Sequence, residues 1–359
     1  MTDRDFVLAP ATVRVTVSVE ATYNILTSLS LLAMPESRSG LGEWITRTAA
    51  SLPDDFNRRH RLVFNALFAA FEPDHNYQDF SAFIDDLAGQ DAAALRDRAL
   101  DRLHHPDLAH LNPPPTAELI ANREAYLGLM ERLYAEKDAP FERSLYEDAH
   151  TLLQDPAATQ ALVVGHLRAV WEQVMRPEWE RVLPMLNESA AAFQQLDYTG
   201  LTALEAIRVV TGRDLSGIRD NWGSHLIFIP SAHIGPYVSW YDLEGDPVTR
   251  IIFGARLPEG ARAVSPALSR SELLVRLNAL ADDTRLMIIE LLTRHTELCA
   301  PEIMRLLDLS QSAASRHLRQ LVASGYLLER RRDVAKCYSL NPQRVDDTLR
   351  ALKSFLQPR

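Results

Sequence analysis

The chain is poor in cysteine and in lysine. Only two cysteines, Cys299 and Cys337, occur in 359 residues. That is too few for a disulfide framework and fits a reducing compartment. Each is expected to be a small buried apolar side chain, because redox sensing by the pair would need the two within bonding range. Lysine occurs at Lys137, Lys336 and Lys353 alone, and arginine carries the rest of the positive charge, a bias that a GC-rich genome accounts for. Long apolar runs are missing as well. No stretch approaches the roughly 20 apolar residues that span a bilayer. The opening "MTDRDFVLAPATVRV" has early acids and lacks the apolar segment of a signal peptide. A cytoplasmic protein with no membrane partner is the expectation. The G-x-S-x-G elbow, the P-loop, H-E-x-x-H and the dinucleotide-binding glycine fingerprint are absent. An enzyme is therefore not expected, and no catalytic residue or cofactor is assigned.

The formal net charge of −10 is unevenly distributed. Residues 268–359 hold 15 Lys and Arg against 11 Asp and Glu, a surplus of about +4 that leaves about −14 on the rest. Opposite signs on two segments point to two different roles.

Periodicity suggests an α+β fold that is mainly helical. In "TVRVTVSVE", Val13, Val15, Val17 and Val19 alternate with polar residues, as in a strand with one buried face. From Ala21 to about Val210 the spacing is helical, and "NPPPT" at 112–116 must fall between helices because proline lacks the donor and clashes in a helix interior. "HLIFIPS" (225–231), "GPYVSWYD" (235–242) and "TRIIFGARL" (249–257) read as a small antiparallel meander, which the strand near residue 13 could join. The expected organisation is an N-terminal α+β sensor or dimerisation domain at 1–257, a linker at 258–270 and a second, basic domain at 271–359. No internal repeat is found.

The last ninety residues are the most informative. Ser269 and Glu272 have capping-box spacing, and Asp282 is placed to cap "DTRLMIIELLTRH". "APEIMRLLD" is a short third helix, Ser310 can cap a fourth from Gln311 to about Ser324, and Gly325 can end it. Those two helices around the "DLS" corner form a helix-turn-helix. Ala314, Leu318 and Leu321 share its inner face, while Ser312, Ser315, Arg316 and Arg319 face out with Gln311 and His317 at the flanks. Such donors reach phosphates and base edges. "YLLERRRDVAKCYSL" reads as a hairpin with its tip at Arg332, Asp333 and Val334, lined by Arg330, Arg331, Arg332 and Lys336, residues suited to positioning on phosphates. Alone, "ERRR" would be a solvated charge run.

"LADDTRLMIIELL", "ELCAPEI", "LDLSQSAASRHLRQL" and "CYSL" resemble the ArsR-type winged helix-turn-helix repressors over about ninety residues. The resemblance implies a homodimer on a double-stranded DNA operator, joined through the first and last helices of the domain. It also implies that Gln311, Ser312, Ser315, Arg316 and His317 occupy the DNA-reading positions, with Ser310 at the start of that helix. Many metal-sensing members carry a Cys-x-Cys pair where this chain has Cys299 and Pro301. A soft-metal site needs several converging ligands, so no metal is expected there. A protein-interaction scaffold whose winged helix never reads DNA is the alternative.

The front residues are less legible. His104, His105 and His110 in "LHHPDLAH" lack metal-ligand patterning and fit a surface loop. "NWGSHLIFIPSAHIGPYVSWYD" gathers Trp222, His225, Ser231, His233, Tyr237, Trp240 and Tyr241. They are either a pocket for a small-molecule effector, with His225, His233, Tyr237 and Trp240 lining it, or the core and strand pairing of the domain.

Overall fold

The computed structural model describes residues 12–37, 40–136, 140–219, 221–242, 246–258, 261, 266–332 and 335–356. The chain divides into two compact units, one of residues 1–19, 38–42 and 182–359, the other of residues 20–37 and 43–181. This division runs along a different line from the expected boundary at 258–270, for the sheet and the winged helix share one unit. Most of the expected linker lies outside the described residues.

The second unit is helical. Its helix Ala21–Ala33 is buried on nearly every side, including Tyr23, Ile25, Leu26, Leu29 and Leu32, as befits a sequence with few charges on any face. Polar residues on it turn back to its own backbone: Thr27 donates to the Tyr23 carbonyl at 2.8 Å and Ser28 to that of Asn24 at 2.9 Å. Three later helices start at aspartate caps. Asp79, Asp91 and Asp155 accept from the backbone N–H of Ala82, Ala94 and Ala158 at 2.8–3.0 Å, satisfying donors that a helix start leaves free. The expected break at "NPPPT" is present, between a 3-10 turn Pro106–Leu111 and a helix beginning at Thr116.

In the first unit, β1 (Arg14–Val17), β2 (His225–Ser231), β3 (Val238–Asp242) and β4 (Val248–Gly254) form one sheet in the order β1-β2-β4-β3. The N-terminal strand does join it. The sheet is not an antiparallel meander, however: β1 pairs with β2 and β2 with β4 in parallel, and only β3 with β4 runs antiparallel. Alternation and turn residues locate strands but leave pairing open. The chain passes to β3 at the edge and returns to place β4 beside β2, whose residues after His225 are all buried, as interior parallel strands tend to be. Phe193 from the helix Arg176–Gln194 and Ala206, Ile207 and Val210 from the helix Ala203–Thr211 pack with Val13, Val17, Phe228, Ile251 and Phe253 into its core. The Ala203–Thr211 helix opens on a capping box of Thr202 and Glu205 and closes on Gly212 at φ 68°.

The winged helix has its own core, built on Ile288, Leu292, Ile303, Leu318, Leu321 and Tyr326. Its first helix, Pro266–Leu280, begins at Pro266 rather than behind Ser269, because proline's fixed φ suits the first helical position. Asp282 caps Asp283–Thr293 as expected, accepting from the Arg285 N–H at 3.0 Å. The Arg285 side chain donates to the carbonyls of Ala279 and Asn278 at 2.7 and 2.8 Å, tying off the end of the preceding helix. A short strand β5 (Leu298–Cys299) joins β7 (Ala335–Leu340) and β6 (Leu327–Arg332) in an antiparallel sheet of order β5-β7-β6. Cys299 and Cys337 are direct register partners in it, both buried and joined by a disulfide. The expectation of two separate thiols is thus corrected: strand pairing brings together residues 38 positions apart. The last helix, Pro342–Leu356, is pinned to the first by Tyr326, whose hydroxyl lies 3.2 Å from the Arg276 carbonyl and 2.9 Å from Thr348 Oγ1.

Candidate nucleic-acid interface

Helices Ala300–Leu307 and Gln311–Ala323 form the expected helix-turn-helix. The corner turns on Asp308, held at φ 51°, a left-handed conformation that Asp tolerates better than bulkier residues. Ser310 starts the second helix, its hydroxyl accepting from the Ala313 N–H at 3.3 Å. Ser310 therefore positions the helix whatever else it touches.

The two faces of that helix separate as its periodicity requires. Ala314, Leu318 and Leu321 are buried in the winged-helix core. Gln311, Ser312, Ser315, Arg316 and Arg319 are exposed, and Arg319 donates to Ser315 Oγ at 3.1 Å. His317 departs from the expected grouping. It is buried, with Nδ1 3.5 Å from Asp282. At 100° per residue it stands about 60° from Ala314, so a small rotation of the helix carries it inside. Burial holds its pKa below the usual histidine value, with Asp282 opposing that shift. It sits against Asp282, the cap of the helix Asp283–Thr293 two helices earlier.

The wing lies where expected, with Arg330 opposite Cys337 and Arg331 opposite Lys336. Its tip at Asp333 and Val334, and the side chain of Arg331, lie outside the described residues. Two acidic partners went unforeseen. Arg330 donates twice to Glu297 at 2.9 Å, Arg332 lies 3.7 Å from the same carboxylate, and Lys336 pairs with Glu329 at 2.8 Å. Arg330 holds Glu297 below the usual carboxylate range. The Arg330 side chain is 68% exposed against 19% for Glu297, so the guanidinium can turn to a competing phosphate at small cost. Glu297 is 33 residues from Arg330, and no local pattern announces such a pairing.

The four residues read as pocket walls are dispersed. His225 Nε2 meets Thr16 Oγ1 at 2.9 Å across β1 and β2. His233 is buried. Trp240 packs edge-on against Trp222, ring centroids 5.4 Å apart, beside the sheet core. Tyr237 lines a cavity, and its hydroxyl donates to Oε1 of Gln320 at 2.5 Å. For Trp222 and Trp240 the core reading is the one the packing supports. His104, His105 and His110 each bond to different neighbours. Among the described residues no cluster of His, Cys, Asp or Glu could hold a metal ion, and no helix is long and apolar enough to cross a membrane.

These elements define a winged helix-turn-helix of the kind found in bacterial regulators. Residues 282–327 match the family described as "Bacterial regulatory protein, arsR family", so the C-terminal region carries an ArsR-family helix-turn-helix. It is 45% identical over 64 residues to an "Arsenic resistance transcriptional regulator ArsR1" of Pseudomonas putida, covering 18% of this chain and 50% of that protein. Against the "Arsenical resistance operon repressor" of Escherichia coli it is 46% identical over 63 residues, 18% of this chain and 54% of the relative. A second Pseudomonas putida protein, "Arsenic resistance transcriptional regulator ArsR2", is 43% identical over 65 residues, 18% of this chain and 56% of the relative. The chain spans about half the length of the curated relatives it matches.

Proposed function

We propose that the protein is a DNA-binding transcriptional regulator, a repressor that acts as a homodimer and not as an enzyme. The observation that carries this reading is the exposed row of Ser312, Ser315, Arg316 and Arg319 on the second helix of an ArsR-family helix-turn-helix. Arginine forks pair well with guanine edges in a major groove, and the wing cations can sit on flanking phosphates. The dimer forms through the first and last helices of the domain. They leave Leu274, Leu349, Phe355 and Leu356 exposed, Leu349 by 60% and Leu356 by 70%, and apolar side chains this open favour a partner. A two-fold dimer reads half-sites about one helical turn, ~34 Å, apart. The sheet subdomain supplies control, and an effector shifts occupancy only by binding the DNA-competent and incompetent arrangements unequally.

Fluorescence anisotropy with DNA from the region upstream of the chain's own gene tests this. Tight, salt-sensitive binding to one approximately palindromic segment is expected, with a dimer as the bound species. Weak binding that ignores sequence would overturn the reading and leave the winged helix a protein-binding module.

A further inference from the structure

Cys299 and Cys337 are the only cysteines of the chain and are bonded to each other, so no third thiol can enter an exchange within the molecule. The bond ties the start of the helix-turn-helix to the wing. On one side, Cys299 is the residue before the helix Ala300–Leu307, and its N–H donates to Oε2 of Glu302 at 2.7 Å. On the other, Cys337 lies in the middle strand β7, opposite Cys299 of β5 and opposite Arg330 of β6.

The two sulfurs differ in how they can be reached. Both residues are buried, Cys337 completely. β5, however, is an edge strand of two residues, and only the pairs Leu298–Tyr338 and Cys299–Cys337 hold it in register with β7. So short an edge opens by local fluctuation more readily than the β6–β7 hairpin, whose pairing runs from Leu327 to Arg332. The residue before β5 is Glu297, the carboxylate that accepts two hydrogen bonds from Arg330 at 2.9 Å and lies 3.7 Å from Arg332. While the disulfide stands, β5 stays on β7 and Glu297 stays beside both wing cations.

We propose that this pair is a thiol–disulfide exchange site, acted on by a dithiol reductant, that sets the availability of the wing. Once β5 opens, a reductant thiolate attacks Sγ of Cys299. A mixed disulfide forms there, and Cys337 leaves as a thiolate that takes up a proton. The second reductant thiol then displaces Cys299, which is protonated in turn. Two electrons pass to the protein, and the reductant ends as its own disulfide. Reduction leaves β5 held by its two register pairs without a covalent bond, so Glu297 can withdraw and Arg330 and Arg332 can turn to phosphate. Disulfides in the compartments that hold DNA are mostly transient and serve catalysis or sensing. The effect on DNA rests on the proposed function, whereas the exchange chemistry does not.

The test uses the full chain, air-oxidised or treated with dithiothreitol in the absence of denaturant, then unfolded, alkylated with iodoacetamide and measured by mass. Expected are no labels in the oxidised protein, two after reduction, and none once the reductant is removed in air. The reduced protein should bind DNA several-fold more tightly, with a steeper fall of affinity against salt. Glu297→Gln should bind equally well in both states, and Cys337→Ser should bind like reduced wild type in either. Two labels without reductant, or a bond that yields to dithiothreitol only in denaturant, would overturn the exchange site. A redox response that survives in Glu297→Gln would overturn the link to the wing, as would equal DNA affinity of the two states, which leaves the regulator reading standing. Reversible reduction of a native chain that binds no DNA in either state would uphold the exchange site and sink the regulator reading.

Discussion

The phenol of Tyr237 donates to Oε1 of Gln320 at 2.5 Å, joining the loop before β3 to the inner side of the exposed Gln311–Ala323 helix. Gln320 is fully buried and Tyr237 half-buried, so this bond is partly shielded from water. Tyr237→Phe removes the donor and keeps the ring. It should cost about 1–2 kcal/mol, seen as faster amide exchange in the last turn of that helix with the far end of the sheet unaffected. Unchanged exchange there would show that the bond does not hold the helix.

Arg316 and His317 are neighbours in sequence with opposite settings, one exposed and one buried. Arg316→Ala should weaken specific DNA binding by about 1–3 kcal/mol if the guanidinium pairs with a base, with little change in melting. His317→Ala should do the reverse, lowering stability by about 1–3 kcal/mol through lost packing with little change in sequence preference. Parallel measurements of melting and operator affinity separate the two. Equal behaviour of both variants would contradict the assigned faces.

Local chemistry made much of this domain legible. Asp282, Ser310 and Gly325 are caps whose side-chain oxygens or left-handed backbone announce helix ends, and Ala314, Leu318 and Leu321 mark an inner face by spacing alone. The rest depends on which distant segments meet. The parallel pairing of β2 with β4, the Cys299–Cys337 bond and the Arg330–Glu297 pair join residues that no window of sequence holds together. Aromatic density around Trp222 and Trp240 left two readings open, since a ring that fills a sheet core and one that walls a pocket have the same local pattern.

The wing gives a salt-dependence experiment. Replacing Arg330 and Arg332 together by Gln should reduce the slope of log affinity against log salt by about 2, near one released counterion per lost phosphate contact. Glu297→Gln should act oppositely on affinity. It frees the two guanidiniums from the carboxylate they now share and removes a negative charge near the DNA path, so sequence-indifferent binding should rise several-fold. A slope that stays fixed in the Arg330 and Arg332 variant would remove the wing from the interface.

A last expectation concerns the helical unit. His60 Nδ1 meets His166 Nε2 at 3.0 Å, and His60 Nε2 lies 2.9 Å from the Leu29 carbonyl. The carbonyl can only accept, so His60 carries its proton on Nε2 and takes the His166 Nε2 proton at Nδ1. Both rings are neutral. Burial lowers the His60 pKa to about 4 and the His166 pKa to about 3, the latter with help from His60 and Arg59. The unfolded rings take protons near pH 6.5 and the folded ones do not, so the unfolded state binds more protons between those values. Stability should be full above about pH 6.5 and fall as the pH drops towards 4, by on the order of 3 kcal/mol for His60 alone. Denaturation across that range should show the loss, and His60→Gln, less stable at neutral pH, should show a shallower dependence. An equal slope in wild type and variant would place the acid sensitivity elsewhere.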